Sequence, residues 1–478
     1  MTRLALPMLF ALPLVLASGC KKGAEDIKTD SAEAVGAEGI TITQVAIYQG
    51  PQRILAEDGE EMDSEVPLVQ GRDALVRVFY EASDDRVGEE LTARLELDGG
   101  DSFEVTATIV ESSEVDDLDT TLNFEVPGSA IGSKFAYRVS VLDFGAQDNP
   151  DAHHPQEGTE SHKVKGPPVV FKLVLVPYAY NADGSGRVPD LGDEALQDLS
   201  DRFMQLYPLA DVEITVEDPV SWSGTIQPNG SGWQEVGFDL YQRRASASPD
   251  GDVYYYGIFS PTSSFSQWCN QGCLNGVTLL NDSPSDTGDP NLRIAIGVGF
   301  SEYMADTMLH ELGHSQGREH ADCGPGLDPN SIDRDYPYDD GEIGVWSYDL
   351  IEGELVSPNH SDLMGYCDRV WISDYNYDAI LTRASNIIED EGLASTAQPA
   401  ELVVVDGEGR VSWSPGVAFL PRGGESVPVQ VQTSRGPEQL QATVVRFDHL
   451  PGAWVFLPSS DAHHAEFELD GQRLIVER

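Results

Sequence analysis

The segment HELGHSQGREH, running from His310 to His320, sets His310, His314 and His320, Glu311 and Gly317 at intervals that raise a question of chemistry. In an α-helix residues four apart share a face, about 6 Å apart along the axis, so His310 and His314 can aim both imidazoles at one point. On a continuous helix His320 would stand roughly 15 Å from His310 along the axis and off that face. The helix must therefore stop between them, and Gly317 is the residue that turns left-handed without steric cost. With the chain doubled back, His320 reaches the point the other two share. Three neutral imidazoles suit Zn2+, and three protein ligands leave a fourth position for water, as in catalytic rather than structural sites. Glu311 follows the first ligand and points beside the ion. It is placed to take the water's proton and later pass it to a leaving amine, a carboxylate that a structural zinc site does not need.

The HExxHxxGxxH pattern resembles the signature of the metzincin zinc endopeptidases, which also includes a methionine turn downstream. HSDLMGYC, from His360 to Cys367, supplies such a turn. The resemblance spans roughly residues 168–390 and extends to exported bacterial metzincin-like proteins. It implies a metalloendopeptidase acting on a protein or glycoprotein substrate, with Met364 as a hydrophobic floor beneath the zinc ligands. Tyr366 stands two residues after Met364, as in astacins and serralysins, which implies a movable ligand or a hydrogen-bond donor to the tetrahedral intermediate. Ala321, directly after the third histidine, matches neither group and leaves the subfamily open. The alternative from another class is a catalytically inactive zinc-containing binding or adhesion protein.

The elements that would hold such a site are legible upstream. VVFKLVLVPYA is apolar on both faces, as a covered strand requires, and LGDEALQDLSDRFMQLYPL spaces its apolar residues near 3.6, as a helix does. DVEITVEDPV reads as a strand and WQEVGFDLYQRRASA as a helix. DVYYYGIFS, GVTLL and LRIAIGVGF follow as strands before the HELGH helix, and WISDYNYDAILTRASNIIED reads as a terminal helix. The alternation predicts a central α/β domain over 166–392, in an order that resembles the metzincin upper subdomain. GVTLL is the expected edge strand of the cleft, to which an extended substrate would add by main-chain hydrogen bonds. The loop YDDGEIGVWSYD is expected to shape the pocket past the scissile bond, with Trp346 either lining it or packed as core. Asn181–Gly186, NADGSG, is similar to a calcium loop, but no glutamate falls twelve positions from its start, so a plain turn is favoured over a Ca2+ site.

On either side, short alternating β-branched runs predict two all-β sandwiches, over 41–165 and 393–478. His153-His154 is expected to be solvated in a polar loop, and His463-His464 to be exposed. At the N-terminus Arg3 precedes LALPMLFALPLVLA, a run too short to span a bilayer that suits a signal-peptide core over 1–19. Ala17-Ser18-Gly19-Cys20 resembles a lipobox, which implies lipidation at Cys20 and a flexible tether over 20–40. The bland alternative is an ordinary secretory signal with a chance cysteine.

Lys+Arg 29 against Asp+Glu 81 gives a net charge of −52, and no lysine follows Lys172. Such a balance excludes nucleic acid as a partner, since phosphates need a basic footprint. It fits an exported protein of the cell envelope, at the outer membrane or cell surface, or a secreted one. With Cys20 set aside, Cys269, Cys273, Cys323 and Cys367 form an even set with three possible pairings. The metzincin resemblance favours Cys269–Cys273 and Cys323–Cys367, because it places the methionine turn under the ligands and so brings Cys323 and Cys367 together.

Overall fold

The computed structural model describes residues 34–144, 147–280, 287–325, 327, 329, 331–390 and 398–478. The signal-peptide and lipid-anchor expectations at 1–19 and Cys20, and most of the expected tether, lie outside them. The described chain is mostly β-sheet, with five α-helices: α1 (Asp193–Leu206), α2 (Trp233–Ala247), α3 (Phe265–Trp268), α4 (Met304–Ser315) and α5 (Asp374–Glu389).

Two sheets pack face to face at the N-terminal end. One is five-stranded, with Ile40–Tyr48 and Ala74–Ala82 at its centre; the other is seven-stranded, built around Lys134–Asp143 and Glu90–Leu97. Alternation sorts the side chains: in Glu90–Leu97, Leu91, Ala93, Leu95 and Leu97 turn inward to meet Val45, Ile47, Val76 and Val78. Two expectations are corrected here. The end of the tether is part of the sheet: Val35–Gly36 pairs with Leu142–Asp143, and Ala37 is fully buried with its N–H donating to the Val141 carbonyl. A small apolar side chain fits that core, so these residues do not hang free. His153 and His154 are likewise buried, in a short strand on Lys134–Asp143. His153 meets Ser140 Oγ at 2.7 Å and Asp148 Oδ1 at 2.9 Å, while His154 and His162 converge on Glu160 at 3.0 and 2.8 Å. Partners contributed from elsewhere in the fold satisfy the imidazoles that water would otherwise have to serve.

The central unit is a six-stranded sheet in the order Asp211–Val216, Val170–Tyr180, Val253–Phe259, Ile294–Val298, Gly276–Thr278, with Val220–Trp222 also on Val170–Tyr180. Every pairing is parallel except that of the edge strand Gly276–Thr278, which runs antiparallel to Ile294–Val298. Both faces are covered, as the apolar runs require. Tyr254, Tyr256 and Ile258 pack on one side with Leu199 and Phe203 of α1, Met308 and Leu312 of α4 and Ile380 of α5. Tyr255 and Phe259 pack on the other with Trp233 and Leu240 of α2.

The expected second sandwich is instead a single seven-stranded antiparallel sheet, curled so that its outer strands, Val411–Phe419 and Gln472–Glu477, meet. Twist accumulated over that many strands brings the edges together around one core. His464 sits half-buried on strand His464–Leu469, 3.5 Å from Glu477, and His463 is exposed. Asn181–Gly186 is an exposed turn in which Asp183 pairs with Arg187 at 2.6 Å. The YDDGEIGVWSYD loop is pinned to the N-terminal sheets, with Trp346 packed as core: Gln52 N–H donates to Trp346 O and Tyr348 N–H to Gly50 O, and Trp346 packs against Tyr48, Leu75 and Phe79.

Burial alone would raise the Glu160 carboxyl, but hydrogen bonds from His154, His162 and Tyr137 outweigh it and bring it down to about 2. A folded-state value below the unfolded one, roughly 4.3, gives stability that is complete above the unfolded value and drains away as pH falls towards 2. Glu160→Gln is expected to lower the melting temperature at neutral pH and to flatten its decline between those two values. Identical acid melting profiles for the two proteins would contradict this.

Candidate metal centre

Helix α4 buries Met304, Met308, Leu309 and Leu312 against the central sheet, which leaves His310, Glu311 and His314 on the side facing the cleft. Its end is fixed by glycine. Gly317 has φ of +79°, Gly317 N–H donates to His314 O, and Arg318 N–H reaches back to Gly313 O. The chain reverses there, and His320 is held by backbone exchange with the facing segment: its N–H donates to Ser331 O and its carbonyl accepts from Asp333 N–H. The three histidines that the spacing predicted to converge do so. His314 Nε2 lies 3.1 Å from His310 Nε2 and 3.0 Å from His320 Nε2.

The other ring nitrogens explain why. His310 Nδ1 faces Leu363 O at 2.8 Å, His314 Nδ1 faces Arg318 O at 2.6 Å, and His320 Nδ1 faces Ser331 Oγ at 3.0 Å. Carbonyl acceptors place the proton on Nδ1 of His310 and His314, and the Ser331 oxygens allow the same tautomer at His320, so three Nε2 lone pairs point at one another. Burial, then charge repulsion from neighbouring imidazoles, brings His310 to about 4 and His320 to about 3, and holds His314 well below its usual range, which favours the neutral form that a metal ligand requires. A cation is what such a set accommodates. Tetrahedral zinc at about 2.0–2.1 Å per nitrogen separates its ligand atoms by roughly 3.4 Å, close to the spacing present. This buried histidine group can therefore hold a metal ion.

Met364 is fully buried beneath the ligand helix, and Gly313 makes room for it: a Cβ at that position would lie 2.6 Å from the methionine sulfur. A buried polar chain fixes the turn. Asp362 accepts from Met364 N–H, Ser373 N–H and Asn376 Nδ2, and Asn376 accepts in turn from Arg318 Nε, which binds the turn to α5 and to the start of the ligand loop. The disulfides are Cys269–Cys273 and Cys323–Cys367, the pairing the resemblance favoured. Cys323–Cys367 spans 44 residues and clamps the segment after His320 to the methionine turn, where Tyr366 N–H also donates to Cys323 O. Closing a loop of that length restricts the unfolded chain by about 4 kcal/mol in the chain-entropy account.

Glu311 is buried, with Oε2 lacking any hydrogen-bond partner. A side chain on Gly276, in the edge strand, would collide with its carboxylate. Burial, and after it the nearby Asp448 carboxylate, pushes the Glu311 carboxyl well above its usual range. Tyr366 Oη lies 3.3 Å from His320 Nε2, and burial raises its phenol.

Two residues here have no counterpart in the sequence reading. Asp448 and His449 lie in the turn between strands Gly436–Arg446 and Ala453–Pro458 of the C-terminal sheet, and they enter the centre. His449 joins His310, His314 and His320 with one ring nitrogen from each within 4.8 Å of the others, and Asp448 and His449 form a second such group with Glu311. Tyr366 Oη lies 3.0 Å from His449 Nδ1. Nothing in RFDHLPG repeats or spaces residues as the His310–His320 segment does, so only the packing of the sheets reveals them. Comparison with protein-family models finds no match for this chain, and comparison with curated protein sequences finds none.

Elemental analysis after dialysis against Zn2+ is expected to find one tightly held ion per chain. His310→Ala, His314→Ala and His320→Ala should each lose it. Because an ion that binds only the folded state stabilises by mass action, about 4 kcal/mol at a thousand times its dissociation constant, the natural chain should melt measurably lower in chelator. Unchanged melting with no bound metal would remove the centre.

Proposed function

We propose that the chain is a zinc-dependent endopeptidase with a metzincin-like central domain over 166–392, cleaving extended segments of proteins or glycoproteins outside the cytoplasm. The observation that supports it best is the convergence of three imidazole lone pairs beside a buried carboxylate with an unpartnered oxygen, at the edge of a sheet. A zinc ion held by His310, His314 and His320 would supply Lewis acidity.

The chain's own groups account for the rest. An extended substrate pairs with the main chain of the Gly276–Leu280 edge, which sets its scissile carbonyl beside Glu311. Glu311 takes one proton from the attacking water as the new C–O bond forms at the carbonyl carbon. It returns that proton to the amide nitrogen as the C–N bond breaks, so one water and one peptide bond become a carboxyl group and an amine. The Tyr366 hydroxyl, beside the ligands, donates a hydrogen bond to the oxygen that gains negative charge.

Two disulfides favour an oxidising compartment. Among the described residues no helix is long and apolar enough to cross a membrane. The disulfides support export, and tethering through Cys20 is supported only by the resemblance of Ala17–Cys20 to a lipobox. A second reading has one observation in its favour: His449 gives the site a fourth imidazole, and closed four-ligand sets are typical of structural zinc. On that reading the protein binds a surface and turns nothing over.

Glu311→Gln should leave the ion bound and reduce hydrolysis of a broad peptide library by about 10²–10⁴-fold. The assay is run in the natural and the His449→Ala backgrounds, so that closure by His449 does not hide turnover. Peptides left whole in both backgrounds would establish the binding-protein reading instead.

A further inference from the structure

The edge strand that a substrate would use already carries an extended segment of the same chain. Leu280 N–H donates to Arg446 O at 2.9 Å, Asp448 N–H donates to Thr278 O at 3.2 Å, and Leu279 faces Phe447 in an antiparallel bridge. Thr278 N–H is also taken, by the Asp448 carboxylate at 3.0 Å. Main-chain groups of Thr278 and Leu280 that could receive a peptide are thus bonded to the C-terminal sheet.

The segment then delivers its side chains to the chemistry. The Asp448 side chain is buried, and its Oδ2 has no hydrogen-bond partner although it lies 3.4 Å from His449 Nε2 and 4.0 Å from His314 Nε2. His449 Nε2 lies 3.6 Å from Glu311 Oε1, and the His449 ring lies parallel to that of His310 with centroids 5.8 Å apart. An unpartnered buried carboxylate and a fourth imidazole aimed into the centre are poor choices for a turn whose only task is to connect two strands. Beyond the tip the turn is seated on the central unit: a side chain on Gly230 would strike Leu450, and Gln234 Nε2 donates to Pro451 O.

We propose that Arg446–His449 is a built-in occupant of the cleft. Its backbone takes the place of an extended substrate on the edge strand, and His449 supplies the fourth ligand to the ion held by His310, His314 and His320. The resting chain is closed, because the position needed by water is filled by an imidazole and the base Glu311 faces Asp448. Activity then requires the turn to lift, which frees the edge strand and the fourth position in one movement. The ligand role of His449 stands on its own; the substrate-mimic role rests on the peptidase reading.

X-ray absorption at the zinc edge of the zinc-loaded natural chain is expected to count four imidazoles. His449→Ala should give three imidazoles and one lighter oxygen, and His449→Gln, which keeps a hydrogen-bonding group opposite Tyr366, should give the same if the alanine chain is poorly folded. If the natural site is closed nine-tenths of the time or more, opening it should raise peptide-library hydrolysis about tenfold or more. Three imidazoles in the natural chain, or equal hydrolysis by the natural and variant chains, would overturn the closure while leaving the peptidase reading standing. A count that falls from four to three with no hydrolysis by any chain would uphold His449 as a ligand and overturn the peptidase reading.

Discussion

Three neutral imidazoles gathered in a buried pocket, with His314 Nε2 at 3.1 and 3.0 Å from the Nε2 atoms of His310 and His320, form an arrangement that can hold a cation. Buried acceptors without a donor between them cost free energy. The fold nonetheless spends its most restrictive features on keeping them there. Each Nδ1 faces an oxygen acceptor from a different piece of chain: the methionine turn, the residue after the helix stop, and the segment opposite His320. The orientations of the His310 and His314 rings are therefore set by backbone carbonyls, which mutation of surrounding side chains cannot easily move, while His320 also leans on the Ser331 hydroxyl.

The rest of the central unit can be read as support for that geometry. Gly317 ends α4 where His320 can return, Gly313 admits the methionine sulfur, and Gly276 admits the Glu311 carboxylate; the first turns the chain and the other two permit close approach. Arg318, Asn376 and Asp362 bind the ligand loop, α5 and the methionine turn into one buried polar network with few degrees of freedom. The Cys323–Cys367 bond lies across the same junction. Rigid backing of this kind is what holds a metal site within tenths of an ångström.

How much of this was legible in the sequence depends on how local the cause is. The helix of His310 and His314, its stop at Gly317 and the return of His320 follow from spacing and from the freedom of glycine, and the structure brings those residues together. The helices and strands of the central sheet followed from periodicity, because apolar runs covered on both faces leave a clear pattern. Pairing information was absent where partners are set by how strands and turns fold against one another, even between near neighbours in the chain. His153-His154 reads as polar and solvated until Glu160, Asp148 and Ser140 are placed beside it. Strand alternation predicts sheets but not how many, so a single curled sheet and a sandwich look alike. Asp448 and His449 were invisible for the same reason, since a turn's sequence does not record which surface its sheet will pack against.

The packing of that sheet also limits how the cleft can open. Leu402, Val445, Trp454 and Phe456 of the C-terminal sheet share one core with Val176, Trp233, Leu240 and Phe259 of the central unit. Swinging the whole sheet away would expose several of these side chains at about 1.5–3 kcal/mol each. The turn's own share is smaller: a handful of cleft-edge hydrogen bonds at about 0.5–1.5 kcal/mol apiece, one core side chain, Phe447, and the proposed His449 ligand bond. The smaller sum decides the motion: the sheet stays docked and the tip moves. Gly452, at φ of +103° just after the turn, is packed against Val405 O and Gln234, so the chain is anchored where the turn ends. Firm docking and a yielding tip together make the C-terminal sheet a fixed platform from which His449 can be presented or withdrawn.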